Sequence, residues 1–294
     1  MVLHNLTYWL AEQPSIVSFR WSPMRFGSTW YFVFTAISFY ILAAIALDVL
    51  LFLFRCRRPL PLGPIPALHS LAVALISAVI FVGMLLSAAA EIRDTRWFWS
   101  RTKISTPFHW LLCFPLGTRP SGRVFFWSYI FYLSRFLHLL RTFFTILRRR
   151  RLTFFRLFNQ SINILMSFLW LEFSQSFQVL AILLDTLLYS VVYGYRFWTA
   201  IGLPRARFPF VVNCQAVLVA CNLVCNFGVL LLHYTKGGCN GIGAWGFNSV
   251  LSGAISLLFL KFYAKKMHWR NSTVSEDEGS TTHRGSANLQ GKDT

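Results

Sequence analysis

Arg135, His138 and Arg141 stand three apart inside an apolar run, so on a helix they form a slanting stripe along one side. Ser134 and Thr142 flank the stripe with hydroxyls. Two guanidiniums and an imidazole concentrate positive charge that a low-dielectric surround amplifies. The guanidinium fork matches carboxylate or phosphate oxygens. Charge inside a membrane span is costly and usually marks a function, so the chemistry expected here is the handling of an anion. An architectural reading stands beside it. Glu172 and Asp185, on the two apolar runs that follow, carry the opposite sign and would pair with the arginines. The two readings are compatible, because a paired arginine can still border a polar cavity.

Further polar residues lie downstream. Asn159, Gln160, Ser161 and Asn163 open the next apolar run, and such a cluster usually hydrogen-bonds across a bundle. Trp170 follows Asn163 on the same helix face. Asp185, Tyr189, Tyr193 and Arg196 recur at helical spacing on one face of the run after that, and Gln215 adds an amide to the next. Together they predict a polar shaft through a helix bundle, open at the end marked by Arg148 and Arg151.

The elements that must hold this shaft are membrane helices. Hydrophobic residues make up 55% of the 294, in long runs at 30–54, 67–90, 124–147, 157–174, 177–197, 208–234 and 245–264. Each is near the roughly 20 residues that cross a bilayer. The fourth and fifth are short and nearly continuous, so the count is six or seven. Residues 1–25 carry polar residues and prolines throughout, and no cleavable leader is expected. Residues 91–123 form the largest connection, where Trp97, Trp99 and Trp110 among basic residues predict a segment at the headgroups. Residues 271–294 are polar and predict a disordered tail after a membrane domain at 30–270 and an N-terminal segment at 1–29.

The net charge of +18 resides mostly in short loops, which points to topology and anionic lipid and away from nucleic acid. With the N-terminus lumenal, Arg55, Arg57, Arg58, Arg148–Arg151, Arg156, Arg196, Arg205, Arg207, Lys265, Lys266 and Arg270 all become cytosolic. That side then holds the larger share of basic residues. Asn5 in Asn-Leu-Thr would be lumenal, and Asn271 in Asn-Ser-Thr cytosolic. The six cysteines form no CxxC pair and no metal-ligand spacing. Cys113 and Cys239 would share the lumenal side and be free to pair. Cys214, Cys221 and Cys225 share a helix face, as small residues at a contact do.

The order of these landmarks resembles the ELO family of very-long-chain fatty acid elongases, in its divergent plant branch, from the first span to Lys266. Ser134-Arg-Phe-Leu-His-Leu-Leu-Arg-Thr142 stands where the family has KxxExxDT, and Asn159-Gln-Ser-Ile-Asn163 where it has HxxHH. Trp170 matches the aromatic position seven residues beyond that box. The stretch Asp185–Tyr195 resembles NxxxHxxMYxYY, and Gln215 matches the first glutamine of TxxQxxQ. The departures matter equally: only Thr142 of the first motif is kept, and the box histidines become Asn159, Ile162 and Asn163. Tyr189 replaces the later histidine, Asp185 the asparagine and Leu218 the second glutamine.

The resemblance implies an all-α, multi-pass membrane bundle of about seven transmembrane helices enclosing a narrow acyl tunnel. It implies an endoplasmic reticulum protein, N-terminus lumenal and C-terminus cytosolic, that condenses a long-chain acyl-CoA with malonyl-CoA to a 3-ketoacyl-CoA. In the family histidine carries the acyl group and assists decarboxylation; asparagine and isoleucine can do neither. His138 then becomes the candidate nucleophile or base, with Asn159, Asn163 and Tyr189 stabilising enolate charge. Substrate and CoA contacts fall to Arg135, Arg141, Thr142, Asp185, Tyr193, Gln215, Arg148 and Arg151. No cofactor or metal is expected. Expected partners are acyl-CoA and malonyl-CoA, membrane lipids, other elongation-cycle enzymes and a second copy of the chain. A non-catalytic acyl-CoA-binding or scaffold protein of the same fold is the rival.

Overall fold

The computed structural model describes residues 2–54, 61–102, 107–149, 154–202, 208–235, 237–254 and 257. Among these there is no strand, only an isolated bridge between Arg20 and Ser121. The chain divides into two compact units, Met1–Asn248 and Ser249–Thr294. In the second, residues 249–254 and 257 are helical.

The first unit opens with α1 (Val2–Thr7), a π-helical turn at Tyr8–Glu12 and the short α2 (Pro14–Val17), which starts on a proline whose missing N–H costs nothing there. Long helices follow: α3 (Trp30–Leu53), α4 (Ile65–Thr102), α6 (Arg123–Leu147), α7 (Phe154–Glu172), α8 (Gln178–Ala200) and α9 (Phe208–Thr235), with the short α5 (Pro107–Leu112) between α4 and α6. Thr29 caps α3 by accepting from the Phe32 amide at 3.2 Å. Helix α4 runs through residues 91–102, which carry no proline or glycine to stop it, so the expected connection begins later and contains α5.

Among the described residues five helical segments are long and apolar enough to cross a membrane: Trp30–Leu53, Ile65–Asp94, Arg123–Leu147, Gln178–Ala200 and Ala216–Thr235. The 19-residue α7 is not one of them, since Arg156, Asn159, Gln160, Asn163 and Glu172 dilute its apolar content. The run at 245–264 lies largely outside the described residues, as does the tail from 271.

Helix α6 is the hub, packing against α3, α4, α7 and α8, while α4 also lies along α8. Phe125, Trp127, Phe131, Tyr132, Leu139 and Ile146 of α6 are buried. Gly83 lets the α4 backbone touch Trp127; a Cβ there would sit 2.2 Å from the indole. The Trp127 indole N–H donates to the Leu10 carbonyl at 2.9 Å, tying the N-terminal segment down.

One end of the bundle is fastened. The Trp21 amide donates to Pro120 O and the Gly122 amide to Phe19 O, each at 2.9 Å. A disulfide joins Cys113, just after α5, to Cys239, just after α9, realising the pairing open to them in sequence. Beside it Asn240 accepts from the Gly117 amide at 3.2 Å and donates to the carbonyls of Phe173 (3.2 Å) and Ser174 (3.0 Å). The opposite end carries the last turn of α6, where Arg149 donates to the Leu51 carbonyl at the end of α3.

Candidate functional site

Helices α6 and α8 present their polar faces to one another. Arg135, with 4% of its side chain exposed, donates from Nη2 to Asp185 Oδ2 at 3.1 Å. Its guanidinium lies 3.8 Å over the Phe131 ring and 4.7 Å over the Tyr189 ring, so the charge is met by a carboxylate and by aromatic faces. The expected salt bridge forms with Asp185. Glu172 instead accepts from the Trp21 indole at 3.0 Å.

One turn on, His138 Nδ1 and the Tyr193 hydroxyl share a hydrogen bond of 3.0 Å. The His138 ring packs edge-on against Tyr189 at 4.8 Å and Tyr193 at 5.2 Å. Thr142 is buried and hydrogen-bonded to the Tyr40 hydroxyl of α3 at 2.8 Å. The four α8 residues therefore share the predicted face, and it is turned to the arginine and histidine stripe of α6.

Tyr193 is also a wall of a cavity of about 700 Å³. Arg141, Arg148, Arg156 and Arg196 line it, with His69 and Ser70 of α4 and Thr145 of α6. Arg141 and Arg196 lie over the Tyr193 ring at 5.9 and 5.2 Å. Four guanidiniums around one hollow make a site for a polyanion.

The sequence-expected residues thus separate. Arg141, Arg148 and Tyr193 border the cavity; His138 stands behind Tyr193, and Arg135, Asp185 and Thr142 are engaged within the bundle. Asn163 donates to Asn159 at 3.3 Å along α7, and Ile162 is buried, so these positions bond among themselves and not to the α6–α8 cluster. Arg151 and the Gln215 side chain lie outside the described residues. His69 and Arg156 join the site without having been singled out for it, while Arg196 lines it from the α8 face on which its spacing placed it. His69 is the third residue of an apolar run just after Pro64 and Pro66, where a helix starts and an imidazole is out of keeping with its neighbours.

Residues 25–275 match the GNS1/SUR4 (ELO) family. A fatty acid elongase 3-like protein of Arabidopsis thaliana is 64% identical over 270 residues, covering 91% of this chain and 93% of the relative. Fatty acid elongase A of Dictyostelium discoideum is 24% identical over 74% of this chain and 76% of its own length. Fatty acid elongase sre1 of the same organism is 22% identical over 71% and 74%. With five helices among the described residues long and apolar enough to cross a membrane and a family match across most of its length, the chain belongs to the GNS1/SUR4 (ELO) family, as a multi-pass membrane protein of fatty acid elongation.

Proposed function

We propose that this protein performs the condensing step of elongation, joining a long-chain acyl-CoA to malonyl-CoA to give a 3-ketoacyl-CoA, carbon dioxide and free CoA. The observation that carries the reading is the cavity lined by Arg141, Arg148, Arg156 and Arg196 at the end of a polar seam between two apolar helices. CoA thioesters combine several phosphates with an acyl chain, and the cavity offers guanidiniums for the first while the bundle offers apolar surface for the second. The similarity to proteins named fatty acid elongases supports the reaction class. The mechanism is modified, because Asn159, Ile162, Asn163 and Tyr189 stand where the resemblance implies histidine.

The arginine-lined end faces the cytosol and the N-terminus the lumen of the endoplasmic reticulum. Two observations support this orientation: the Cys113–Cys239 disulfide belongs in an oxidising compartment, and basic residues concentrate at the other end. The loss of the family histidines favours a second reading, a non-catalytic acyl-CoA-binding or scaffold protein of the elongation cycle.

The deciding experiment is malonyl-CoA-dependent condensation of a labelled acyl-CoA by the purified protein in nanodiscs. Product with a two-carbon extension is expected. Saturable acyl-CoA binding without product at any chain length would make it a binding protein.

A further inference from the structure

We propose that His69 is the side chain that acts on the bound thioester, and that His138 is a positioning residue for Tyr193. The proposal rests on the condensing function above and names the reacting group. His69 belongs to the cavity wall that Arg141, Arg148, Arg156 and Arg196 share, and it is the imidazole in that wall. Its Nε2 lies 2.9 Å from the Leu137 carbonyl oxygen. A carbonyl only accepts, so Nε2 carries a proton, and in the neutral ring the lone pair is on Nδ1. Edge-on contacts with Phe144 at 5.3 Å and Tyr193 at 6.5 Å hold the ring plane. An imidazole with one nitrogen bare, a fixed tautomer and a cavity in front of it is an oriented nucleophile.

His138 has the opposite circumstances. It is 4% exposed, it is absent from the cavity wall, and its Nδ1 is taken by the Tyr193 hydroxyl at 3.0 Å. It reaches the cavity only through Tyr193, whose ring also meets Arg141, Arg196 and His69. Its role is to hold that phenol in place.

The step balances without an added oxidant or reductant. His69 Nδ1 adds to the acyl thioester carbonyl, the guanidiniums face the oxyanion, and the C–S bond breaks. CoA leaves as thiolate and takes a proton from water. The acyl group then sits on a cationic imidazole whose Nε2–H stays on Leu137 O. Malonyl-CoA loses carbon dioxide, and the electron pair of the broken C–C bond becomes an enolate. The enolate carbon bonds to the acyl carbon, the C–N bond breaks, and neutral His69 returns with the 3-ketoacyl-CoA.

The test incubates the nanodisc protein with labelled acyl-CoA alone, quenches in acid and locates the label by tandem mass spectrometry. The expected result is release of CoA and an acyl group on the peptide carrying His69. His69→Gln, which keeps a donor for Leu137 O, should remove the adduct and lower condensation at least about 100-fold. Its acyl-CoA Kd should stay near the wild-type value. His138→Gln should still form the adduct, with lower kcat and unchanged KM. Label on another residue, or full condensation by His69→Gln, overturns the proposal and leaves the elongase reading intact. A wild type that neither condenses nor acylates overturns both. Mapping on the wild type decides the matter even if a variant fails to fold.

Discussion

Arg135 and Asp185 form an ion pair of 3.1 Å between α6 and α8, capped by the Phe131 and Tyr189 rings. Breaking such a pair by removing one partner strands a charge, whereas replacing both with apolar groups is often tolerated. Asp185→Ala should therefore lower stability in detergent by about 3–5 kcal/mol, and Arg135→Met combined with Asp185→Leu should restore much of it. A double-mutant cycle on thermal midpoints checks this; additive losses would show that the pair is not coupled.

Tyr193→Phe removes the hydroxyl that meets His138 while keeping the ring under Arg141 and Arg196. Stability should fall by only about 1 kcal/mol. Condensation should suffer through kcat, and adding His138→Gln should cost little more. Steady-state kinetics of the single and double variants give the answer.

Substituting Arg148 or Arg196 with Gln takes one guanidinium from the cavity. A charge-assisted hydrogen bond is worth about 1.5–3 kcal/mol, so acyl-CoA affinity should drop by about 10- to 100-fold. Raising the salt concentration should weaken wild-type binding more than it weakens either variant. Titration with a fluorescent CoA analogue at two ionic strengths measures both effects.

Gly83→Ala puts a methyl where Trp127 already lies, 2.2 Å from the new carbon. Overpacking of this kind costs about 1–3 kcal/mol, and a thermal unfolding assay in detergent should show the loss. Gly83→Ala with Trp127→Phe should recover part of it.

Reduction or Cys113→Ser opens the link between residues 126 apart and should cost about 2–5 kcal/mol. In sealed microsomes both cysteines should resist a membrane-impermeant thiol reagent until reductant and detergent are added. Labelling without reductant would show that the pair is not oxidised there, and with it the lumenal placement would lose its support.

Much of the site was legible because helical spacing is a strict ruler. Asp185, Tyr189, Tyr193 and Arg196 share a face by arithmetic, and the structure turns that face to Arg135 and His138. Sequence alone left open which acid pairs with which base. Asp185 sits opposite Arg135 across the α6–α8 contact, while Glu172 lies at the end of α7 within reach of Trp21. His69 was hidden for a different reason. It lies more than sixty positions from the stripe it joins, and only the packing of α4 against α6 and α8 brings it there. The length of α4 was underestimated because polar residues such as Glu91, Arg93 and Asp94 end a hydrophobic run without ending a helix; Arg93 and Arg123 both bond Asp94 there. Of the expected spans, five stand among the described residues as helices apolar enough to cross; α7 is helical yet more polar than those, and the run at 245–264 lies largely outside the described residues.

The unequal fastening of the bundle's ends governs how a substrate can travel. Asn240 and the disulfide bind the turn after α9 to those after α5 and α7, as a hinge pin holds the back of a clasp. At the arginine end helices α4, α6, α7 and α8 enclose a hollow instead. Any rotation of these helices about the pinned end would have its largest displacement at the hollow. A greasy chain anchored by a charged head would thread and withdraw through the jaws of that clasp, tail first inward and head first outward.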